Sequence, residues 1–148
     1  MKKGILLLSA FLIICTLSTH SFSLCINVPE ANLRGGPGTK YEKTWEVFKY
    51  MPFQQLSKKG NWFKVKDVDG DVHWVYRKLV TEDFKCAVVK VDKANIRSGP
   101  GQNHEKSALS PALKYDSFKV IETTPSWVKV TDEFGDSGWI FKRLLWIH

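Results

Sequence analysis

Cysteine with histidine, clustered aspartates and ranked aromatics are the side chains of this sequence whose types and spacing could do chemistry. Cys with His would serve nucleophilic catalysis, in which an imidazole draws the proton from a thiol within hydrogen-bond reach. Beyond its first segment, which holds Cys15 and His20, the sequence offers Cys25 and Cys86 with His73, His104 and His148. No helical pattern carries a catalytic Cys, and no His stands at a useful spacing from Cys or Asp, so no enzyme and no catalytic residue is expected. Asp67, Asp69 and Asp71 alternate around Gly70 in the manner of a calcium loop. The bidentate Glu that such a loop needs six residues past its Gly has no counterpart, position 76 being Tyr76. His73 with Asp71 is too few for zinc. The aspartates read as a solvated hairpin turn, and neither a metal nor another cofactor is expected.

What remains is aromatic surface. Six Trp, four Tyr and nine Phe make 13% of the chain, and several fall opposite aliphatic positions in alternating segments. In Trp62-Phe63-Lys64-Val65 and Trp127-Val128-Lys129-Val130 a period of two puts Phe63, Val65, Val128 and Val130 on one face. Trp62 and Trp127 are thereby turned outward.

The elements that must position these residues occur twice. Ala31-Asn32-Leu33-Arg34-Gly35-Gly36-Pro37-Gly38 returns as Ala94-Asn95-Ile96-Arg97-Ser98-Gly99-Pro100-Gly101. Asn32 and Asn95 are separated by 63 residues, Trp62 and Trp127 by 65, so the second copy holds two extra residues, placed in Ser110 to Tyr115. Asn61 to Leu79 then matches Ser126 to Leu144 without a gap, as a hairpin written twice whose turns are centred on Gly70 and Gly135. Two copies at this period imply a tandem of small domains, since solenoids need three or more shorter repeats.

The combined pattern Asn-Leu/Ile-Arg-x-Gly-Pro-Gly, Trp-x-Lys-Val, Gly-x-x-x-Trp-Val/Ile and a closing Leu resembles the bacterial SH3-like (SH3b) domains of exported proteins. The resemblance covers nearly all of the chain beyond its first segment. It implies an all-β fold of two small antiparallel barrels serving as a binding or targeting module, often for cell-wall material. The expected divisions are 24–80 and 86–148, joined by a linker at 81–85. Because five residues without Gly or Pro make no floppy tether, the barrels are expected to touch in a fixed orientation.

The resemblance also points to site residues. A Trp at the corresponding strand floors the peptide groove of eukaryotic SH3 domains, so Trp62 and Trp127 are the leading ligand contacts. Each could instead close a barrel end or pack at the domain interface. A groove in the first unit would join Tyr41, Trp45, Trp62 and Trp74 with Lys64 on its rim. The second unit keeps Trp127 and Trp139 but has His104 and Ala108 for Tyr41 and Trp45, so the copies should not bind alike. Arg34 and Arg97 are expected to be structural, pairing with a carboxylate such as Asp67 or Asp132, beside the turn glycines Gly38 and Gly101. The tyrosines of a polyproline groove have no match, which argues against proline-rich ligands.

The first segment gives an address. Lys2-Lys3 precede an apolar run from Gly4 to about Leu17, and Ser21-Phe22-Ser23 supplies small residues for cleavage after Ser23. The run is short of the twenty or so residues that a membrane span needs. Ile14 and Leu24 before Cys15 and Cys25 are too large for a lipidation site. Residues 1–23 are thus expected to be a signal peptide, with no stable membrane insertion after its removal and an exported, periplasmic or extracellular product. Lys2 and Lys3 leave with it, so 20 basic residues face 15 acidic ones, a surplus that attracts anionic surfaces. Export excludes nucleic acid from the partners. Cys25 and Cys86 are then an even pair, one at the first strand of each unit. They either bridge, as an oxidising compartment allows, or stay as buried thiols in equivalent strands. The function expected is non-catalytic binding of an envelope component such as peptidoglycan peptide or glycan. The alternatives are a protein adaptor of the envelope and an accessory to a cell-wall hydrolase.

Overall fold

The computed structural model describes residues 22–148, so nearly all of the expected signal peptide lies outside the described residues. The first barrel is built from β1 (Ser23–Ile26), β2 (Glu30–Arg34), β3 (Lys43–Phe48), β4 (Pro52–Lys59), β5 (Trp62–Lys66), β6 (Val72–Tyr76) and β7 (Val80–Thr81). These strands form one antiparallel sheet in the order β3-β2-β6-β5-β4-β1-β7. The second barrel comprises β8 (Cys86–Val89), β9 (Lys93–Ala94), β10 (Ala112–Leu113), β11 (Ser117–Thr123), β12 (Trp127–Thr131), β13 (Ser137–Phe141) and β14 (Leu145–Ile147). Five of these run β13-β12-β11-β8-β14, and β9 pairs with β10 as a separate ribbon. Single 3-10 turns, Arg77–Leu79 and Lys142–Leu144, lead into β7 and β14. The all-β expectation is borne out.

Both hairpins have the expected register. Trp62 faces Tyr76 and Val65 faces His73 across β5 and β6, while Trp127 faces Phe141 and Val130 faces Gly138 across β12 and β13. Gly70 and Gly135 sit at φ of 89° and 96°, the left-handed region that a side chain resists. In each turn one Asp holds the backbone: Asp67 Oδ1 accepts from the amides of Asp69 and Asp71, and Asp132 Oδ1 from those of Phe134 and Asp136. The aspartates that looked like a calcium loop are thus turn-closing acceptors.

Alternation fills two cores. Leu24, Ile26, Leu33, Val47, Phe53, Val65 and Val75 make the first, and Ala87, Val89, Ile96, Phe118, Val128, Val130 and Ile140 the second. β8 is buried along its whole length and serves both. Ala87 and Val89 face their own barrel, whereas Val88 belongs to the first core. β14 repeats the division, because Leu145 lies in the second core while Trp146, cross-strand partner of Val88, packs on the first. A strand with period two and cover on both faces reads as a continuous apolar run, which is what Cys86-Ala87-Val88-Val89 is.

Cys25 and Cys86 form a disulfide, with Cα atoms 6.0 Å apart, which overturns the alternative of two separate thiols. The bond ties β1 to β8 where the barrels meet. Further contacts fix their orientation: Ser117 Oγ donates to Lys49 O at 2.8 Å, and Tyr115 Oη to Asp69 Oδ2 at 2.6 Å. Thr81, expected in the linker, is taken into β7 opposite Cys25. The C-terminal apolar tail meets the first unit through Trp146, which packs on its core, and through His148, whose Nδ1 lies 3.5 Å from Ser23 Oγ, while Leu145 and Ile147 complete the second barrel.

The two extra residues fall earlier than expected. Arg97 still bridges Lys106 as Arg34 pairs with Lys43, but Ala94 pairs with Ala112 as Ala31 pairs with Val47. Ala108 to Pro111 therefore replaces Trp45-Glu46. That turn, closed by the Ser110 amide on Ser107 O at 3.0 Å, breaks the strand that is continuous as β3.

Candidate functional site

The Gly-Pro-Gly loop after β2 is fastened by an arginine. Arg34 Nη1 donates to Tyr41 O at 2.8 Å, and Arg97 Nη1 to His104 O at the same distance. Neither guanidinium pairs with Asp67 or Asp132, which are spent on their turns. A backbone carbonyl is supplied by any residue, so the exchange of Tyr41 for His104 leaves the staple intact. Gly38 and Gly101 take part through matching loop bonds, each donating its amide two residues back to Gly36 O and Gly99 O. Gly36 and Gly99 lie under the rings of Tyr41 and His104, where a Cβ would collide with the ring.

Beside that loop lies a groove of about 640 Å³ in the first barrel, lined by Glu30, Asn32, Arg34, Thr39, Trp62 and Tyr76, with Leu79 closing one end. The second barrel has a groove of about 190 Å³ lined by Lys93, Asn95, Arg97, Gln102, Trp127 and Phe141, closed by Leu144. These seven positions correspond one to one, at the 63-residue offset before the inserted turn and the 65-residue offset after it. The aromatic floor is the same in both: Trp62 and Tyr76 have ring centroids 5.5 Å apart at 50°, Trp127 and Phe141 5.5 Å apart at 57°. The cross-strand register places each pair on the outer face, so the residues opposite fill the core and leave these two partly exposed.

The structure gathers only some of the expected contacts. Trp62 and Trp127 line the grooves. Trp74, partly buried, faces Arg34 on one side and Lys64 on the other, next to the groove rather than within it. Tyr41 belongs to the stapled loop. Trp139 is 9% exposed, so it offers little to a ligand. Trp45 lies on a different surface, packed on the first core and edge-on to Tyr115 of the second barrel at 5.3 Å. It shares a small interdomain pocket with Asp67 and His73. There His73 Nε2 donates to Asp67 Oδ2 at 3.1 Å, and Nδ1 meets Thr44 Oγ1 at 2.8 Å. Sequence reasoning missed Asn32, Tyr76 and Leu79 with their counterparts, although their recurrence at the two offsets was available as a signal.

Among the described residues no cluster of three or more His, Cys, Asp or Glu is arranged to hold a metal, and no helix is long and apolar enough to cross a membrane.

Comparison with known proteins matches the repeat. A family model described as bacterial SH3 domain matches residues 27–82, and a second of the same description matches residues 92–145. The Bacillus subtilis (strain 168) protein named "Putative N-acetylmuramoyl-L-alanine amidase YrvJ" is 27% identical over 125 residues, covering 78% of this chain and 24% of that protein. The chain thus spans about a quarter of that relative's length. Among solved structures, an NlpC/P60 family protein from Bacillus cereus ATCC 10987 is matched at 13% identity and a TM-score of 0.39, over 85% of this chain and 56% of that one. The structure titled endolysin LysPBC5 CBD is matched at 16% identity and a TM-score of 0.34, over 86% of this chain and 93% of that one.

Proposed function

Because the chain belongs to the bacterial SH3 domain family, in two tandem copies, we propose that it is a non-catalytic, exported binding module that holds a short peptide or glycan of the cell wall. The observation that carries this reading is the duplicated groove. Its aromatic pair, Asn and Arg are retained in both barrels at positions that the cores do not require. An aromatic floor with a few polar groups on its rim is the general form of a small-ligand site, and aromatic faces suit both the apolar side of a sugar and a peptide backbone. The name of the Bacillus subtilis relative, that of an N-acetylmuramoyl-L-alanine amidase, is in keeping with a ligand built of amino sugar and peptide. The fixed mutual orientation of the barrels holds the two grooves on one rigid body, so two weak contacts to one polymer would reinforce each other.

The test is co-sedimentation with purified sacculi. The parent chain is expected in the pellet, Trp62→Ala and Trp127→Ala each to weaken pelleting, and the double variant to stay in the supernatant. A parent chain that remains soluble removes the reading. Retention that persists after muramidase digestion, with a co-retained protein, would turn it to the adaptor. Release of labelled fragments by the purified chain would overturn the absence of catalysis.

A further inference from the structure

The two grooves share a floor but differ in charge. Glu30 stands on the rim of the first where Lys93 stands on the rim of the second; both are exposed, and each is two residues before the retained Asn. The other exchanges among the matched positions, Thr39 for Gln102 and Tyr76 for Phe141, carry no charge. Arg34 and Arg97 are common to both and are spent alike on a loop carbonyl. A single position therefore reverses its sign between two otherwise matched sites, setting a carboxylate beside Arg34 in the first and a second cation beside Arg97 in the second. The surroundings deepen the contrast. Glu46, cross-strand from Asn32, adds a carboxylate on the same face of the first sheet, with Lys43 bonded to it at 2.8 Å. The inserted turn Ala108 to Pro111 removes its equivalent from the second.

We propose that the grooves are complementary subsites. The first, wide and edged by Glu30, takes an ammonium-bearing part of a peptide, and the second, narrow and edged by Lys93, takes a peptide carboxylate. The proposal rests on the envelope-binding reading and deepens it: the ligand is a wall peptide that presents both a free amine and a free carboxylate. Phe141 lacks the hydroxyl of Tyr76, so the Lys93 ammonium is the polar group that the second groove has and the first does not, and it adds to the Arg97 guanidinium in favour of an anionic end. Charge on a rim of this kind sets selectivity more than total affinity.

The test uses the ¹⁵N-labelled chain and two synthetic probes, Ala-Ala-Lys-amide, which has amines and no carboxylate, and acetyl-Ala-Ala-Ala, which has a carboxylate and no amine. The indole N–H signals of Trp62 and Trp127, assigned with Trp→Phe variants, report each groove separately. The amine probe is expected to move Trp62 and the carboxylate probe Trp127. Glu30→Lys should weaken the first and Lys93→Glu the second by about fivefold, the scale of an exposed charge interaction. The double reversal should exchange the preferences. Equal response of both grooves to both probes, no response to either, or affinities unmoved by the reversals overturns the proposal. Sacculus pelleting that survives both reversals would keep the envelope reading while removing this one. Charge-sorted binding by a chain that ignores sacculi would do the opposite.

Discussion

Tyr115 of the second barrel donates its hydroxyl to Asp69 Oδ2 of the first at 2.6 Å, while its ring stands edge-on to Trp45. It does so from a left-handed backbone, φ 73°, and Tyr50, its counterpart 65 residues earlier, has φ 69°. The two tyrosines occupy one turn of the repeated fold, each amide donating to the first strand of its own barrel, Tyr50 to Ile26 O and Tyr115 to Val89 O. A bulky residue at positive φ costs of the order of 1 kcal/mol. At Tyr115 that cost is offset by a contact between the barrels. Tyr115→Phe should lower stability by less than about 1 kcal/mol, the worth of one accessible hydrogen bond. Its larger effect should be a loosened orientation, read as a change in residual dipolar couplings between the halves with each half's own couplings unchanged.

Removing the disulfide should matter more. Cys25 and Cys86 close a separation of 61 residues, and the chain-entropy model puts such a loop at about 4 kcal/mol. Cys25→Ser with Cys86→Ser should lower the denaturation midpoint accordingly. Mass spectrometry after alkylation should show both thiols blocked in the parent until reductant is added.

Asp67 is 4% exposed and serves three donors, two turn amides and the His73 ring. Asp67→Ala leaves those donors without an acceptor and should cost about 2–3 kcal/mol, the penalty for stranding buried polar groups. Asp132→Ala should cost less, because position 138 is Gly and only the two amides lose their partner. Thermal denaturation of the two variants side by side checks the difference.

The His148 pKa is lowered, first by burial and then by the nearby Lys66 ammonium. A histidine that resists protonation when folded gives stability that is complete above its ordinary value of 6.5 and is lost as pH falls through that value toward the lowered one. The thermal midpoint should therefore drop below about pH 6.5, and His148→Gln, which cannot take up the proton, should flatten that part of the profile. A variant with the parent's slope would show that this ring does not set it.

The fold was legible because its determinants are local and repeated. Alternation in Trp62 to Val65 and Trp127 to Val130, with glycine turns at Gly70 and Gly135, decides strand, face and register without help from the rest of the chain. The site was legible only in part. Trp62 and Trp127 could be assigned because their neighbours had to fill the core. Asn32, Tyr76 and Leu79 come from three separate elements, and nothing in local pattern says that they meet. The arginine staple was expected on a carboxylate because side-chain acceptors are visible in a sequence and backbone carbonyls are not. Trp45 was assigned to the groove because it is aromatic and amphipathic, but its partner is Tyr115, 70 positions away, and no periodicity records a contact between domains.

Val88 puts one residue of the second half into the interior of the first, and the partly buried Trp146 covers that interior from outside. Each half is thus missing part of itself when alone: cut between them, the leading half would be left with an open flank and the trailing half with a greasy one. Such a duplication has ceased to be modular. The pair is therefore expected to travel as one piece, and a third copy would have to join at some surface other than β8 and β14.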